Sequence, residues 1–203
     1  MADFDFSKLV DFLELVGSLK HVKRTGWVIR DIPDCESIAG HMYRMGMMTF
    51  LLNGSQELDR LKCLEIAMVH DLAECIVGDL TPHCGVEPDE KHRREDEAMK
   101  DIAKLTGPSG NLLYDLYKEY ENQSSPEAKF VKELDRFDMV LQAFEYEKRE
   151  KSPHSLEEFF VATQGKFSHP LVTGLLGELT KRRTAFETKD AGDNSPQTTN
   201  VPS

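Results

Sequence analysis

Apolar residues recur at three- and four-residue intervals through most of the chain, and no segment keeps the alternation of a half-buried strand. That pattern predicts an all-α protein. Leu9, Phe12, Leu13, Val16 and Leu19 place an apolar stripe on a first helix over about Ser7–Lys20. A connector, His21–Glu36, follows with Gly26 and Pro33. Ser37, a good N-cap type, opens a second helix to about Leu52, where Asn53-Gly54 supplies a stop. A third helix is expected over about Leu58–Val77, closed by Gly78, and the Pro- and Gly-containing stretch Asp79–Gly85 reads as a loop.

A charged helix from about Pro88 to Leu105 and a shorter one over Asn111–Glu121 come next. Ser125-Pro126-Glu127 combines a cap, a first-turn proline and a capping-box glutamate. The helix it starts should reach Glu150, with Phe130, Leu134, Phe137, Leu141 and Phe144 as its core stripe. Helices near Ser155–Gln164 and Pro170–Phe186 complete one domain over residues 1–187. The polar stretch Thr188–Ser203 is expected to be a disordered tail. A chain of 203 residues suffices for one substantial core.

One part of the apolar pattern is broken by charge. His70-Asp71 lies among Ala67, Met68, Leu72, Ala73 and Ile76, with Glu74 one turn on and Asp79 just beyond. Burying such carboxylates without partners costs several kcal/mol. A divalent cation is the partner this chemistry calls for. On a continuous helix His70, Asp71 and Glu74 share one sector of the surface. His41, beside Met42 and Met45, and Asp135, beside Leu134, can close the coordination sphere, with Asp138 as the competitor one turn later.

Composition narrows the partners. Lys and Arg total 25 against 36 Asp and Glu, a formal charge of −11, which disfavours nucleic acid polymers and anionic membranes. Small anions remain admissible where Arg24, Arg30, Lys91, Arg93 and Arg94 gather, and Lys91 and Arg94 share a helix face. The start lacks a basic region followed by an apolar core, and no apolar run could span a bilayer, so an intracellular, cytoplasmic protein is expected. Cys35, Cys63, Cys75 and Cys84 have no CxxC spacing and read as free thiols, with Cys63 and Cys75 in the core.

The spaced pattern His41, His70-Asp71, Asp135 resembles that of the HD-domain metal-dependent phosphohydrolases. Further motifs resemble a 5′-deoxynucleotidase family within that group: Gly26-Trp27, Glu36-Ser37, His41–Met45, His70–Glu74 with Gly78-Asp79, Lys91–Glu95 and Glu127–Lys132. The resemblance implies an HD-domain helical bundle and hydrolysis of deoxyribonucleoside 5′-monophosphates, carried out by a homodimer. It implies His41, His70, Asp71 and Asp135 as ligands of a first ion, whose mixed donors suit Mn, Co, Zn, Fe or Ni. Glu74 and Asp79 would be catalytic, and Trp27 would lie against the sugar and reject a ribose 2′-hydroxyl. Gly40 departs from the acidic residue that many members carry before the first metal histidine. Asp71, Glu74, Asp79 and Asp135 with one divalent ion leave two negative charges, a poor host for phosphate. A second ion, Mg²⁺, on Glu74 and Asp79 would remedy this, as would Arg24, Lys91 or Arg94 as substrate-binding groups. The alternatives are another HD-fold phosphohydrolase, such as a cyclic nucleotide phosphodiesterase or a triphosphohydrolase, and a non-catalytic nucleotide-binding scaffold.

Overall fold

The computed structural model describes residues 5–52 and 57–193, with side chains to Thr188. The described residues are all-α, with one isolated antiparallel bridge between Lys23 and Ser37. Two compact units divide the chain, Met1–Leu134 and Asp135–Ser203, and the boundary falls within one long helix.

In the first unit, α1 spans Phe6–Ser18 and starts where Asp5 Oδ1 accepts from Lys8 N. The expected stripe is only partly used: Leu19 is buried, whereas Leu13 is 65% exposed. The connector holds a short helix that its Gly and Pro content concealed, α2 over Thr25–Val28. Ser37 caps α3, Ile38–Thr49, by accepting from Gly40 N. The Asn53-Gly54 stop lies outside the described residues.

The expected third helix is two helices. α4 covers Arg60–Val69, capped by Asp59, and α5 covers Glu74–Val77. Between them the i→i+4 ladder gives way to i→i+3 bonds, Leu72 N to Val69 O at 2.9 Å, Glu74 N to Asp71 O at 3.0 Å and Cys75 N to Leu72 O at 3.2 Å. Such 3₁₀ tightening inside a helix marks strain or function. Here it falls on His70-Asp71, so the shared helical sector predicted for His70, Asp71 and Glu74 is replaced by a tighter turn that brings each to its place.

A 3₁₀ turn, Pro82–Cys84, follows, and then α6 over Pro88–Leu105, with the bounds read from the sequence. α7 spans Gly110–Asn122. Gly110 is required by space: a Cβ there would sit 2.0 Å from Ala103 O. Gly46 similarly lets α3 approach α4, its Cβ position lying 3.3 Å from Leu64 Cδ1 and 3.4 Å from Met68 Sδ. α8, Pro126–Arg149, begins with Ser125 Oγ accepting from Ala128 N.

In the second unit, the C-terminal part of α8 is joined by α9, Glu157–Thr163, and α10, Pro170–Asp193. Glu147, fully buried, accepts from Arg183 Nε at 2.8 Å, Arg183 Nη2 at 2.7 Å and Leu156 N at 3.1 Å. That forked pairing satisfies a charge that would otherwise be costly in a core. The tail boundary expected at Thr188 falls inside α10, because no glycine or proline interrupts the chain between Gly177 and Gly192. The rest of the expected tail, 194–203, lies outside the described residues. Among the described residues no helix is long and apolar enough to cross a membrane.

Candidate metal centre

Three donor atoms converge in the first unit. His41 comes from the first turns of α3, and His70 and Asp71 from the α4–α5 turn. His41 Nε2 lies 3.7 Å and His70 Nε2 3.2 Å from Asp71 Oδ2. The two imidazoles meet edge to face with centroids 5.4 Å apart. His41 and His70 are 0% and 3% exposed.

Two observations fit this set to a divalent cation. His70 Nδ1 is 2.9 Å from Ala67 O, so it carries the ring proton and leaves Nε2 as a lone pair aimed inward. His70 Nε2 and Glu74 Oε2 are buried without a hydrogen-bond partner, a cost of about 1–3 kcal/mol per atom unless something else fills the role. Two imidazole nitrogens and a carboxylate oxygen form a donor set suited to transition ions.

Charge around the cluster is partitioned. Burial alone would raise the Asp71 carboxyl, but His70, His41 and Arg24 outweigh it and hold the group well below the usual carboxylate range. Glu74 goes the other way: burial, then Asp71 and Asp79, push it well above that range. A carboxylate that ionises reluctantly beside one that is always ionised is the arrangement of an acid–base group next to a ligand.

Basic groups enter selectively. Arg24 Nη1 lies 3.4 Å from Asp71 Oδ2, with Nε 3.9 Å from Glu36. Lys91 Nζ donates to Leu80 O at 2.8 Å and lies 3.4 Å from Glu95, and Glu74 and Asp71 help raise its pKa against burial. The Arg94 side chain is exposed and donates to Glu90 at 2.6 Å, as Arg93 does at 2.7 Å, so the face that Arg94 shares with Lys91 in sequence ends in solvent for Arg94.

Trp27 is 1% exposed and donates Nε1 to Glu36 at 2.9 Å. Asp79 is held by α2: Oδ2 accepts from Thr25 N at 2.6 Å, and Thr25 Oγ1 donates to Asp79 O at 2.8 Å. Asp135 is half-buried on α8 at the start of the second unit, and Asp138 is fully buried.

Sequence reasoning gave no role to Glu36 or Tyr120. Glu36 faces Trp27, Arg24 and Arg44, whose Nη2 is 3.9 Å away. Its signal was its place in the Glu36-Ser37 motif before His41. Tyr120 lies against the His70 ring with centroids 4.9 Å apart, and no spacing in the sequence announced it.

Comparison with known proteins agrees with this geometry. The HD-domain family model matches residues 16–173. A Bos taurus protein named 5′-deoxynucleotidase HDDC2 is 51% identical over 178 residues, covering 87% of this chain and 86% of its own. A Schizosaccharomyces pombe protein named 5′-deoxynucleotidase hdd1 is 45% identical over 184 residues, covering 88% and 91%. Among solved structures, a conserved hypothetical protein from Pyrococcus furiosus superposes with a TM-score of 0.69 at 31% identity, covering 87% of this chain and 99% of its own. With the model match running through all three converging donors, the chain belongs to the HD-domain family.

Proposed function

We propose that this chain is a 5′-deoxynucleotidase, a phosphoric monoester hydrolase that converts deoxyribonucleoside 5′-monophosphates to deoxynucleosides and phosphate. The observation that carries this reading is the convergence of His41 Nε2, His70 Nε2 and Asp71 Oδ2 in a family whose relatives at 40–51% identity bear that name. When bound, a divalent cation supplies charge neutralisation at the phosphoryl group and a water of lowered pKa.

The chain's own groups do the rest. His41 Nε2, His70 Nε2 and the Asp71 carboxylate, whose pKa is lowered, would hold the ion. Glu74 takes a proton from the attacking water as its oxygen bonds to phosphorus, and returns it to the 5′ oxygen as the P–O5′ bond breaks. Arg24 and Lys91 bring positive charge toward the dianion and reduce the need for further cations. Trp27 against the sugar, where it would reject a ribose 2′-hydroxyl, rests on the resemblance. Asp135 as a further ligand rests on the H…HD…D pattern, and an Mg²⁺ on Glu74 and Asp79 rests on the surplus of carboxylates. Mn, Co, Zn, Fe or Ni at the first site, a homodimer and a cytoplasmic location belong to the same proposal.

The test is phosphate release by purified protein supplied with Co²⁺, Mn²⁺ or Mg²⁺. Release from deoxynucleoside monophosphates, abolished by chelator, is expected. Silence across all bases and metals overturns the reading in favour of a nucleotide-binding scaffold.

A further inference from the structure

His70 enters the metal centre from the C-terminal end of α4, and just beyond it the i→i+4 ladder gives way to i→i+3 bonds. The aim of its ring is therefore set by what the ring touches. The contact of Nδ1 with Ala67 O, at 2.9 Å, fixes which nitrogen carries the proton. A single hydrogen bond still leaves the imidazole able to rock about that contact, so the plane of the ring needs a second support.

Tyr120, near the end of α7, supplies it. It is 3% exposed, and its ring lies against the His70 imidazole with centroids 4.9 Å apart and planes inclined at 58°. At that separation the rings touch, within the range in which aromatic pairs attract. An imidazole turning about its Cβ–Cγ bond would drive an edge into the phenol. The phenol oxygen, which needs a partner when buried, accepts from Lys132 Nζ at 2.9 Å, in the second turn of α8. One residue before Tyr120, Lys62 Nζ on α4 lies 2.7 Å from Glu119 Oε1 on α7. The helix that carries the ligand is thus tied to the helix that carries its wall, and all these residues belong to the first unit.

We propose that Tyr120 is a positioning residue for the metal centre: its flat ring holds the His70 imidazole in the plane that aims Nε2 at the ion. The role rests on the metal-centre part of the 5′-deoxynucleotidase reading. It acts through His70 alone, with no contact to substrate, and it belongs to the ring, while the hydroxyl serves to pair with Lys132.

Three variants separate the ring from the bulk around it. Tyr120→Phe keeps the ring and loses the hydroxyl. Tyr120→Leu and Tyr120→Met keep apolar bulk and lose the flat wall, and the unbranched Met adapts to an irregular gap with little strain on the fold. Metal-stripped proteins are titrated with Mn²⁺ by calorimetry at a temperature where melts show each variant folded. Affinity per folded molecule is a quantity that a merely structural role would leave unchanged. The expected result is Mn²⁺ binding weakened about fivefold or more in the Leu and Met variants and within about twofold of wild type in Tyr120→Phe. The visible absorption of the Co²⁺-loaded proteins should follow suit, altered in the first two and like wild type in the third. Mn²⁺ affinity within twofold of wild type in both ring-less variants, or a loss in Tyr120→Phe as large as theirs, overturns the positioning role. Should neither ring-less variant fold, Tyr120→Phe decides: affinity and Co²⁺ spectrum like wild type support the ring, and a fivefold loss overturns it. Wild-type protein that binds Mn²⁺ but releases no phosphate from dAMP overturns the nucleotidase reading and leaves the positioning role standing. Wild-type protein that binds no Mn²⁺ overturns the metal centre, and the role falls with it.

Discussion

Glu36 joins the core to the metal centre, and two substitutions separate its hydrogen bond from its charge. It accepts from Trp27 Nε1 at 2.9 Å, and Arg24 Nε and Arg44 Nη2 each lie 3.9 Å from the carboxylate. Glu36→Gln keeps an acceptor of the same shape and removes the charge, whereas Glu36→Ala removes both. At such separations a unit-charge pair is worth about 4 kcal/mol at an effective dielectric near 20, and desolvation and side-chain ordering reduce the net to roughly 1 kcal/mol. Without the Glu36 charge, Arg24 shifts its pairing toward Asp71, 3.4 Å away, and competes there with a bound cation. A competition of about 1 kcal/mol weakens metal binding roughly fivefold. Glu36→Ala also strands the Trp27 N–H in the core, costing about 2 kcal/mol more, or roughly 4–8 °C in Tm for a chain of this size. Calorimetric titration with Mn²⁺ and thermal melts of the two variants measure both effects. Glu36→Gln that binds Mn²⁺ like wild type and melts as low as Glu36→Ala would refute the division of labour.

Two further outcomes follow from the first unit. Asp96 accepts from Tyr114 Oη at 2.8 Å and Lys118 Nζ at 2.9 Å on α7 and faces Lys100; burial raises its carboxyl, but these donors hold it well below the usual range. Its stabilisation is present above the unfolded carboxylate range and is lost as pH falls through the folded value, so Asp96→Asn should cost about 1–2 kcal/mol at pH 7 by urea denaturation, with the difference shrinking steadily below about pH 4. A difference independent of pH would show that charge is not what Asp96 contributes. Gly110→Ala should destabilise by about 1–3 kcal/mol or more, since its Cβ would meet Ala103 O at 2.0 Å, and a melt matching wild type would mean that α6 and α7 part easily.

Helices that announce their own ends were readable from sequence. Pro88 and the charge-rich run to Leu105 gave α6 at its observed bounds, and Ser37 and Ser125 cap the helices that they predict. The turn between α4 and α5 was hidden because its residues are as apolar and helix-compatible as their neighbours, and only tertiary placement of His70 and Asp71 selects 3₁₀ bonds there. His70-Asp71 stood out as charge in an apolar run, but such a pair also occurs by chance, and His41 joined it only through the H…HD…D pattern of the resemblance. Charge pairing was harder. Lys91 and Arg94 are equivalent by helical position, yet Glu90 draws Arg94 outward while Leu80 O and Glu95 draw Lys91 inward. For Trp27 a sugar-facing role came only from the resemblance, and a lone tryptophan by itself reads as a core residue. Its Nε1 donates to Glu36, nine residues away across the connector, a contact that no local pattern encodes.

The central claim is that His41, His70 and Asp71 hold a divalent ion on which phosphate release depends. Titrating metal-stripped protein with Mn²⁺ while following phosphate release from dAMP, for wild type and His70→Gln, tests it most directly. The account predicts no release without metal, saturable recovery in wild type, and a midpoint for His70→Gln at least tenfold higher, consistent with loss of one ligand of roughly 1.4 kcal/mol or more. Release that persists in stripped protein, or identical midpoints for the two proteins, would contradict it.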